Sequence, residues 1–291
     1  MEHALTRPTG LLVLPTGRPR CAVLVLSGSS GRVETNRVRL LADHGAAALS
    51  LRWFGDQSST TAQPPGICEV PLETFTPALE QLAGYSDHLA IVGTSKGAEA
   101  ALLLAAHDTR IHTVAALSPT SVVWANVGPG LDGDEFPPRS SWTHAGSPLP
   151  FVPYDQAWHD DRAAEAAADT TAPGSPAFRT LYEQSLTTYA DLVPAARIPV
   201  ESIRGDVILS SGGDDQVWPS DHFARDIVTH RTAHGLSTTH LAVPAAGHRL
   251  QLPGEDLPSG GMAMARGGSA SADRELGEAL WQRLAGTLHL S

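Results

Sequence analysis

The sequence predicts an α/β protein built on a mostly parallel, doubly wound sheet, and three observations carry that prediction. Short apolar runs recur along the chain without polar alternation, as strands buried on both faces of a parallel sheet require. Stretches of helical period separate them, the alternation from which crossover-connected sheets are built. The tail Asp273–Leu288 has apolar residues at Leu276, Leu280, Trp281, Leu284 and Leu288, a helical stripe able to close one face.

In order, Thr9–Leu14 offers a hairpin partner at the sheet edge, ahead of a strand over Ala22–Leu26. Helix Asn36–His44, strand Ala46–Leu51, helix Leu72–Leu82 and strand Leu89–Val92 follow, then helix Lys96–His107 and strand Val114–Leu117. Strand Val207–Leu209, helix Ser220–His234 and strand Leu241–Val243 lead into the tail helix. Between 118 and 203 the rhythm breaks: the chain is rich in Pro, Gly, Trp and Tyr, with one helix expected near Ala177–Leu192. That interval is too long for a structureless loop inside a compact domain. It reads as a lid inserted over the C-terminal edge of the sheet, where open α/β sheets bind ligands. The organisation expected is one domain over 1–291 carrying a 118–203 lid. Ser259–Ser271, rich in Gly, Ser and Ala, reads as a flexible loop.

Composition narrows the function classes. Apolar residues make up 42 % and charged residues 18 %, as in ordinary globular proteins. No apolar run reaches the ~18–20 residues that cross a bilayer, so no membrane partner is expected. The first residues lack a basic stretch followed by an apolar one, which argues against a secretory signal. Two cysteines, Cys21 and Cys68, are too few for a disulfide framework or a zinc site. A cytoplasmic protein is the expectation. With 20 basic against 31 acidic residues the net charge is −11, and no local Lys/Arg cluster offsets it, so nucleic acid is not an expected partner. Homo-oligomerisation stays open.

The chemistry centres on Gly93-Thr94-Ser95-Lys96-Gly97. The strand Leu89–Val92 ends at Gly93, and a helix starts directly after Ser95. Such a strand–turn–helix is what a nucleophile elbow needs, with small residues flanking a serine in a strained conformation. The helix N-terminus directs free N–H groups and a positive dipole end at a developing oxyanion. The turn Ser27-Gly28-Ser29-Ser30-Gly31 after the first parallel strand suits the other half of an oxyanion hole. The candidate donors are the amides of Ser29 and Lys96. A phosphate-binding loop is the competing reading, but the Gly-Lys-Ser/Thr of a Walker loop is missing and the glycines do not fit the dinucleotide fingerprint.

In the α/β-hydrolase fold the triad runs serine, then acid, then histidine along the chain. The stretch Val207–Pro219 offers Asp214 and Asp215 after a late strand. Asp215 is preferred for its spacing to Pro219, with Asp214 as alternative, and an aspartate here can also cap the next helix. Of the 13 histidines, His248 alone combines chain order with a strand-tip loop. The expected triad is Ser95, Asp215 and His248. His159-Asp160-Asp161 has no second histidine at ligand spacing beside it. His230 and His234 stand four apart on one face of a helix but lack the glutamate of a zinc-protease helix and a third ligand, so they read as solvated surface histidines, and no metal and no cofactor is expected.

These residues resemble the catalytic C-terminal domain of the acyl-CoA thioesterase and bile-acid-CoA:amino-acid N-acyltransferase family. Four stretches carry the likeness: Ile91–Glu99 around the elbow, Trp124-Ala125-Asn126-Val127-Gly128, the Ser210–Ser220 acid loop and Ala246-Gly247-His248. The resemblance runs from about Thr9 to Leu288 and assigns the acid role to Asp215. Animal members carry an N-terminal β-sandwich domain for which this chain has no room. Amino-acid-transferring members use cysteine, whereas this chain has serine, so the resemblance implies hydrolysis of a small acyl thioester more than aminolysis. Trp124, Trp142, Tyr154 and Trp158 then become candidate walls of an acyl pocket, against the plainer reading that they pack the lid. Three other functions remain: acyl transfer or cyclisation onto an amine or hydroxyl, ester or lactone hydrolysis of the dienelactone type, and non-catalytic binding on a hydrolase scaffold.

Overall fold

The computed structural model describes residues 1–55, 63–158, 175–256 and 263–291. Its strands are β1 Glu2–Thr6, β2 Thr9–Val13, β3 Cys21–Leu26, β4 Ala46–Leu51, β5 Val70–Pro71, β6 Leu89–Thr94, β7 Ile111–Leu117, β8 Trp142–His144, β9 Ser147–Pro148, β10 Asp206–Gly212 and β11 Thr239–Val243. Among the described helices are α1 Thr35–Asp43, α2 Thr76–Ala83, α3 Lys96–His107, α4 Arg179–Thr188, the short α5 Val193–Ala196, α6 Ser220–Ala233 and α7 Ala270–Thr287.

Eight strands form one sheet in the order β1-β2-β4-β3-β6-β7-β10-β11. The pairs β1·β2 and β2·β4 are antiparallel, and the remaining neighbours are parallel. This is the mostly parallel sheet that the sequence predicts, with a hairpin at one edge. The continuous apolar runs have a direct cause. In β3, Ala22, Leu24 and Leu26 enter one apolar layer while Cys21, Val23 and Val25 enter the other, so neither face is left for polar side chains. α2, α3 and α6 cover the first face through Leu79, Leu102 and Ile227. α1 and α7 cover the second through Leu41, Leu276, Leu280 and Leu284. The Ser269 hydroxyl starts α7 by accepting the Ala272 amide at 3.3 Å.

Two elements differ from expectation. The segment 72–83 is not one helix: Leu72–Phe75 forms a 3₁₀ turn and α2 begins at Thr76. Pro77, which has no N–H to donate, occupies the first turn of α2, the one place in a helix that tolerates it. The interval 118–203 is not free of strands either, because β8 pairs with β5 in parallel and with β9 in antiparallel fashion. Isolated bridges Trp124↔Val152 and Ala125↔Ser140 tie it internally. The helix expected near Ala177–Leu192 is the shorter α4, followed by α5 with Pro194 in its first turn.

Of the Ser259–Ser271 loop, residues 259–262 lie outside the described residues. The part from Ala263 packs at the sheet edge, where the Arg266 carbonyl accepts the His248 amide at 2.9 Å. His159-Asp160-Asp161 lies wholly outside the described residues. No described helix is long and apolar enough to cross a membrane.

Candidate active site

β6 hands over to α3 through Ser95, which has φ 57° and ψ −121°. A non-glycine residue in such a region costs on the order of 1–3 kcal/mol and persists only where its surroundings enforce it. Here the Ser95 amide donates to the Leu117 carbonyl at 2.9 Å, and its carbonyl accepts the Ala98 and Glu99 amides at 2.8 and 3.1 Å. The flanking glycines are required by close approach. A Cβ on Gly93 would stand 2.1 Å from the Gly97 carbonyl oxygen, and one on Gly97 would stand 2.4 Å from that of Ser27. The elbow therefore presses directly onto the end of β3.

Beyond β3, the turn containing Gly28, Ser29 and Ser30 lines a cavity of about 490 Å³ together with Ser95 and His248. Among the described residues the Ser29 amide donates to no protein acceptor. Lys96 is the first residue of α3, a position with no carbonyl one turn back in its own helix.

The acid loop separates the two aspartates. Asp215 is fully buried; its Oδ2 lies 2.8 Å from His248 Nδ1 and accepts the Ser220 hydroxyl at 2.6 Å. Its Oδ1 accepts the Val217 and Trp218 amides at 2.9 and 3.2 Å. Asp214 is turned away: its oxygens accept Gln216 Nε2 and the Gly268 amide, each at 2.7 Å, and these bonds hold its carboxyl below the usual range. His248 is held by its backbone as well, since its carbonyl accepts the Ser118 hydroxyl at 2.8 Å. The Trp218 indole lies edge-on to the imidazole at 5.7 Å and donates to the Ser118 carbonyl at 3.1 Å. Ser95 and His248 share the cavity, but no hydrogen bond joins their side chains among the described residues.

The Lys96 side chain is turned into the fold. Buried beneath the elbow, Nζ donates to Glu99 Oε2 at 2.7 Å and to Ser141 Oγ at 2.8 Å. Burial pushes the ammonium below its ordinary pKa, against the opposing pull of Glu99. Glu99 Oε1 accepts the Trp124 amide at 3.0 Å and the Trp142 indole at 2.9 Å. This one carboxylate thus joins the first turn of α3 to two separate stretches of the insertion.

The structure does not bring the four aromatic candidates to the cavity. Trp142 is fully buried against Trp53 and Phe75. Trp124 stacks on Tyr154 at 5.9 Å and bonds Thr120, and Trp158 bonds Thr180 and packs on Phe178. Each indole N–H finds a partner inside the fold, which is how a buried tryptophan is stabilised. Among the described residues of the insertion only Val127 reaches the cavity wall, together with Leu117 at the end of β7. His230, expected at the surface, is half-buried, with Nε2 3.0 Å from Glu201.

Several site neighbours escaped the sequence reading. Ser118 has φ 47°, and no local pattern marks it. Arg37 forms a bidentate pair with Glu255 at 2.8 and 2.9 Å and donates to Thr94 Oγ1 at 2.9 Å, a contact spanning 218 positions of sequence. Lys96 and Glu99 could have been paired from their i,i+3 spacing.

Comparison with known proteins agrees with this architecture. A putative dienelactone hydrolase from Klebsiella pneumoniae superposes with a TM-score of 0.55 at 15 % identity, covering 99 % of this chain and 97 % of that one. The fold is that of the α/β-hydrolases. In sequence, the chain is 26 % identical over 292 residues to acyl-coenzyme A amino acid N-acyltransferase 1 of Mus musculus and 25 % identical over 290 residues to acyl-coenzyme A thioesterase 6 of Mus musculus. Each match takes in 96 % of this chain and 62 % of the relative, so the chain spans less than two thirds of their length. Residues 72–288, from the start of α2's 3₁₀ turn to the end of α7, match the family described as BAAT / Acyl-CoA thioester hydrolase C terminal, and the chain belongs to that family.

Proposed function

We propose that this protein is a serine acyl-thioester hydrolase working through Ser95, His248 and Asp215. The single observation that carries the reading is the 2.8 Å contact of Asp215 with His248 Nδ1 behind a cavity that Ser95 lines. A carboxylate there fixes the imidazole tautomer and leaves Nε2 free to accept a proton. Ser95 Oγ attacks the thioester carbonyl while His248 takes the hydroxyl proton. The oxyanion forms against the Ser29 and Lys96 amides, a donor pair whose loss typically costs about 10²–10³ in rate per donor. Collapse of the adduct breaks the carbon–sulfur bond, and the thiol leaves with a proton. Water, deprotonated by His248, then attacks the acyl-Ser95 ester and releases the free acid.

A second reading sends the acyl group to an amine, favoured by the similarity to an amino acid N-acyltransferase. The same acyl-enzyme serves both. Intact-protein mass spectrometry after incubation with acyl-CoA is the test: an adduct of acyl mass is expected on the wild type and none on Ser95→Ala. Release of free acid without added amine supports hydrolysis; loss of the adduct only on adding an amino acid, with the N-acyl amino acid as product, supports transfer. Full thioester cleavage by Ser95→Ala would overturn the reading.

A further inference from the structure

Arg37 on α1 is buried, and its guanidinium divides its hydrogen bonds between two parts of the site. Nε and Nη2 donate to the two oxygens of Glu255, while Nη1 donates to Thr94 Oγ1 at 2.9 Å. Thr94 is the residue before Ser95. Glu255 ends the segment that His248 opens: its Oε2 also accepts the Leu252 amide at 3.2 Å, and its carbonyl accepts Gln251 Nε2 at 2.6 Å. α1 itself follows the Ser27–Gly31 turn along the chain. Arg37 thus joins the elbow, the histidine segment and the helix after the candidate oxyanion turn. Arg37, Thr94 and Glu255 all line the cavity with Ser95 and His248.

A buried ion pair gains little net stability over apolar side chains of like volume. What it supplies is direction, because a rigid fork that grips one carboxylate holds its remaining N–H groups along a fixed line. The site has a use for direction. Ser95 and His248 stand on turns after different strands and share the cavity without a hydrogen bond between their side chains among the described residues. On the β7 side they are tied by Leu117, whose carbonyl accepts the Ser95 amide, and by Ser118, whose hydroxyl donates to the His248 carbonyl. Arg37 makes a second tie, from α1. Two ties at separate points fix a spacing that one alone would leave free to swing, and a misplacement of about 1 Å can cost on the order of 10² in rate.

We infer that Arg37 is a positioning residue which, through Thr94 and Glu255, holds Ser95 and His248 at the spacing that proton transfer between them requires. The inference rests on the Ser95–His248 reading proposed above, and its test separates the two. Two rates are measured: hydrolysis of hexanoyl-CoA, giving kcat and KM, and labelling of Ser95 by a fluorophosphonate, followed by intact-protein mass spectrometry. In the labelling, Ser95 Oγ bonds to phosphorus, fluoride leaves and His248 takes the hydroxyl proton, so no thioesterase activity is needed. Thr94→Val removes the hydroxyl and keeps the ion pair. It should lower kcat and the labelling rate about tenfold with KM within about twofold, and Thr94→Ser should restore most of both rates. Arg37→Met combined with Glu255→Gln removes the pair without leaving a buried charge unpaired, and should show a similar loss. Adding Thr94→Val to that combination should cost less than about twofold more, since the hydroxyl acts only through Arg37. Should the combination not fold, Thr94→Val and Thr94→Ser carry the test by themselves. Labelling of Thr94→Val at the wild-type rate, or a full additional loss on the combined background, would overturn the positioning role and leave the triad standing. A loss confined to KM would assign the contact to substrate binding and overturn the role too. Absence of Ser95 labelling in the wild type would overturn the triad reading, and the positioning role with it. Labelling of a wild type that cleaves no hexanoyl-CoA would count against the thioester substrate alone, and the labelling rates of the Thr94 variants would then decide the role of Arg37.

Discussion

The loops at the carboxyl edge of the sheet and the insertion between β7 and β10 both hold residue types suited to chemistry, and they use them in opposite ways. At the edge, Ser95, Asp215 and His248 stand on turns that follow β6, β10 and β11; Asp215 meets His248, and Ser95 and His248 line one cavity. In the insertion, Trp124, Trp142 and Trp158 turn inward, and each spends its indole N–H on a partner within the fold. The difference follows from support. A turn between parallel strand and helix inherits a direction from the sheet, whereas a long connection must first bury enough apolar surface to be ordered at all. Large aromatics supply that burial most cheaply, so in such a connection they are structural before they are anything else.

Substitutions can break or sharpen this contrast, and the largest effects belong at the edge. Ser95→Ala should lower thioester turnover by about 10⁴-fold or more while the melting temperature stays within a few degrees. Next come the neighbouring aspartates. Asp215→Asn should cost about 10²–10⁴ in kcat by freeing the imidazole to adopt the wrong tautomer. Asp214→Asn, whose carboxylate is bonded by Gln216 and the Gly268 amide rather than by His248, should stay within about tenfold. Equal losses for the pair would erase the distinction drawn between them. Where α3 anchors the insertion, and within the insertion itself, the effect should move from rate to stability. Glu99→Gln breaks a buried ion pair and should destabilise by about 3–5 kcal/mol, read as a lower denaturant midpoint at unchanged slope. Smallest is Trp158→Phe, which loses one hydrogen bond, to Thr180, and should cost about 1 kcal/mol with acyl-chain selectivity unmoved. A change in selectivity would return Trp158 to the substrate.

What could be read from sequence tracks the same divide. The sheet was legible because burial on both faces leaves an unmistakable run, as in Cys21–Leu26, and the elbow because Gly93 and Gly97 stand where no Cβ fits. Chain order and strand-tip position singled out Asp215 and His248, and the two are in contact in the fold. Asp214 could be set aside only once its contacts to Gln216 and Gly268 were visible. The rest depends on distant partners. Ser118 meets His248 across 130 residues and Arg37 meets Glu255 across 218, separations at which no periodicity speaks. The aromatic residues of the insertion gave a true sign of burial but not its address, since an apolar pocket and a small core demand the same side chains.

The Glu99 carboxylate has a consequence for motion. It takes one hydrogen bond from the Trp124 backbone, one from the Trp142 indole and one from Lys96, all inside the protein. For the insertion to swing away from the sheet, that anion would have to shed the bonds from Trp124 and Trp142 together, and Lys96 its bond to Ser141, without water to replace them. The insertion and the first turn of α3 should therefore open as one cooperative unit. In hydrogen–deuterium exchange, the amides of Trp124 and Ala101 should exchange through the same opening event.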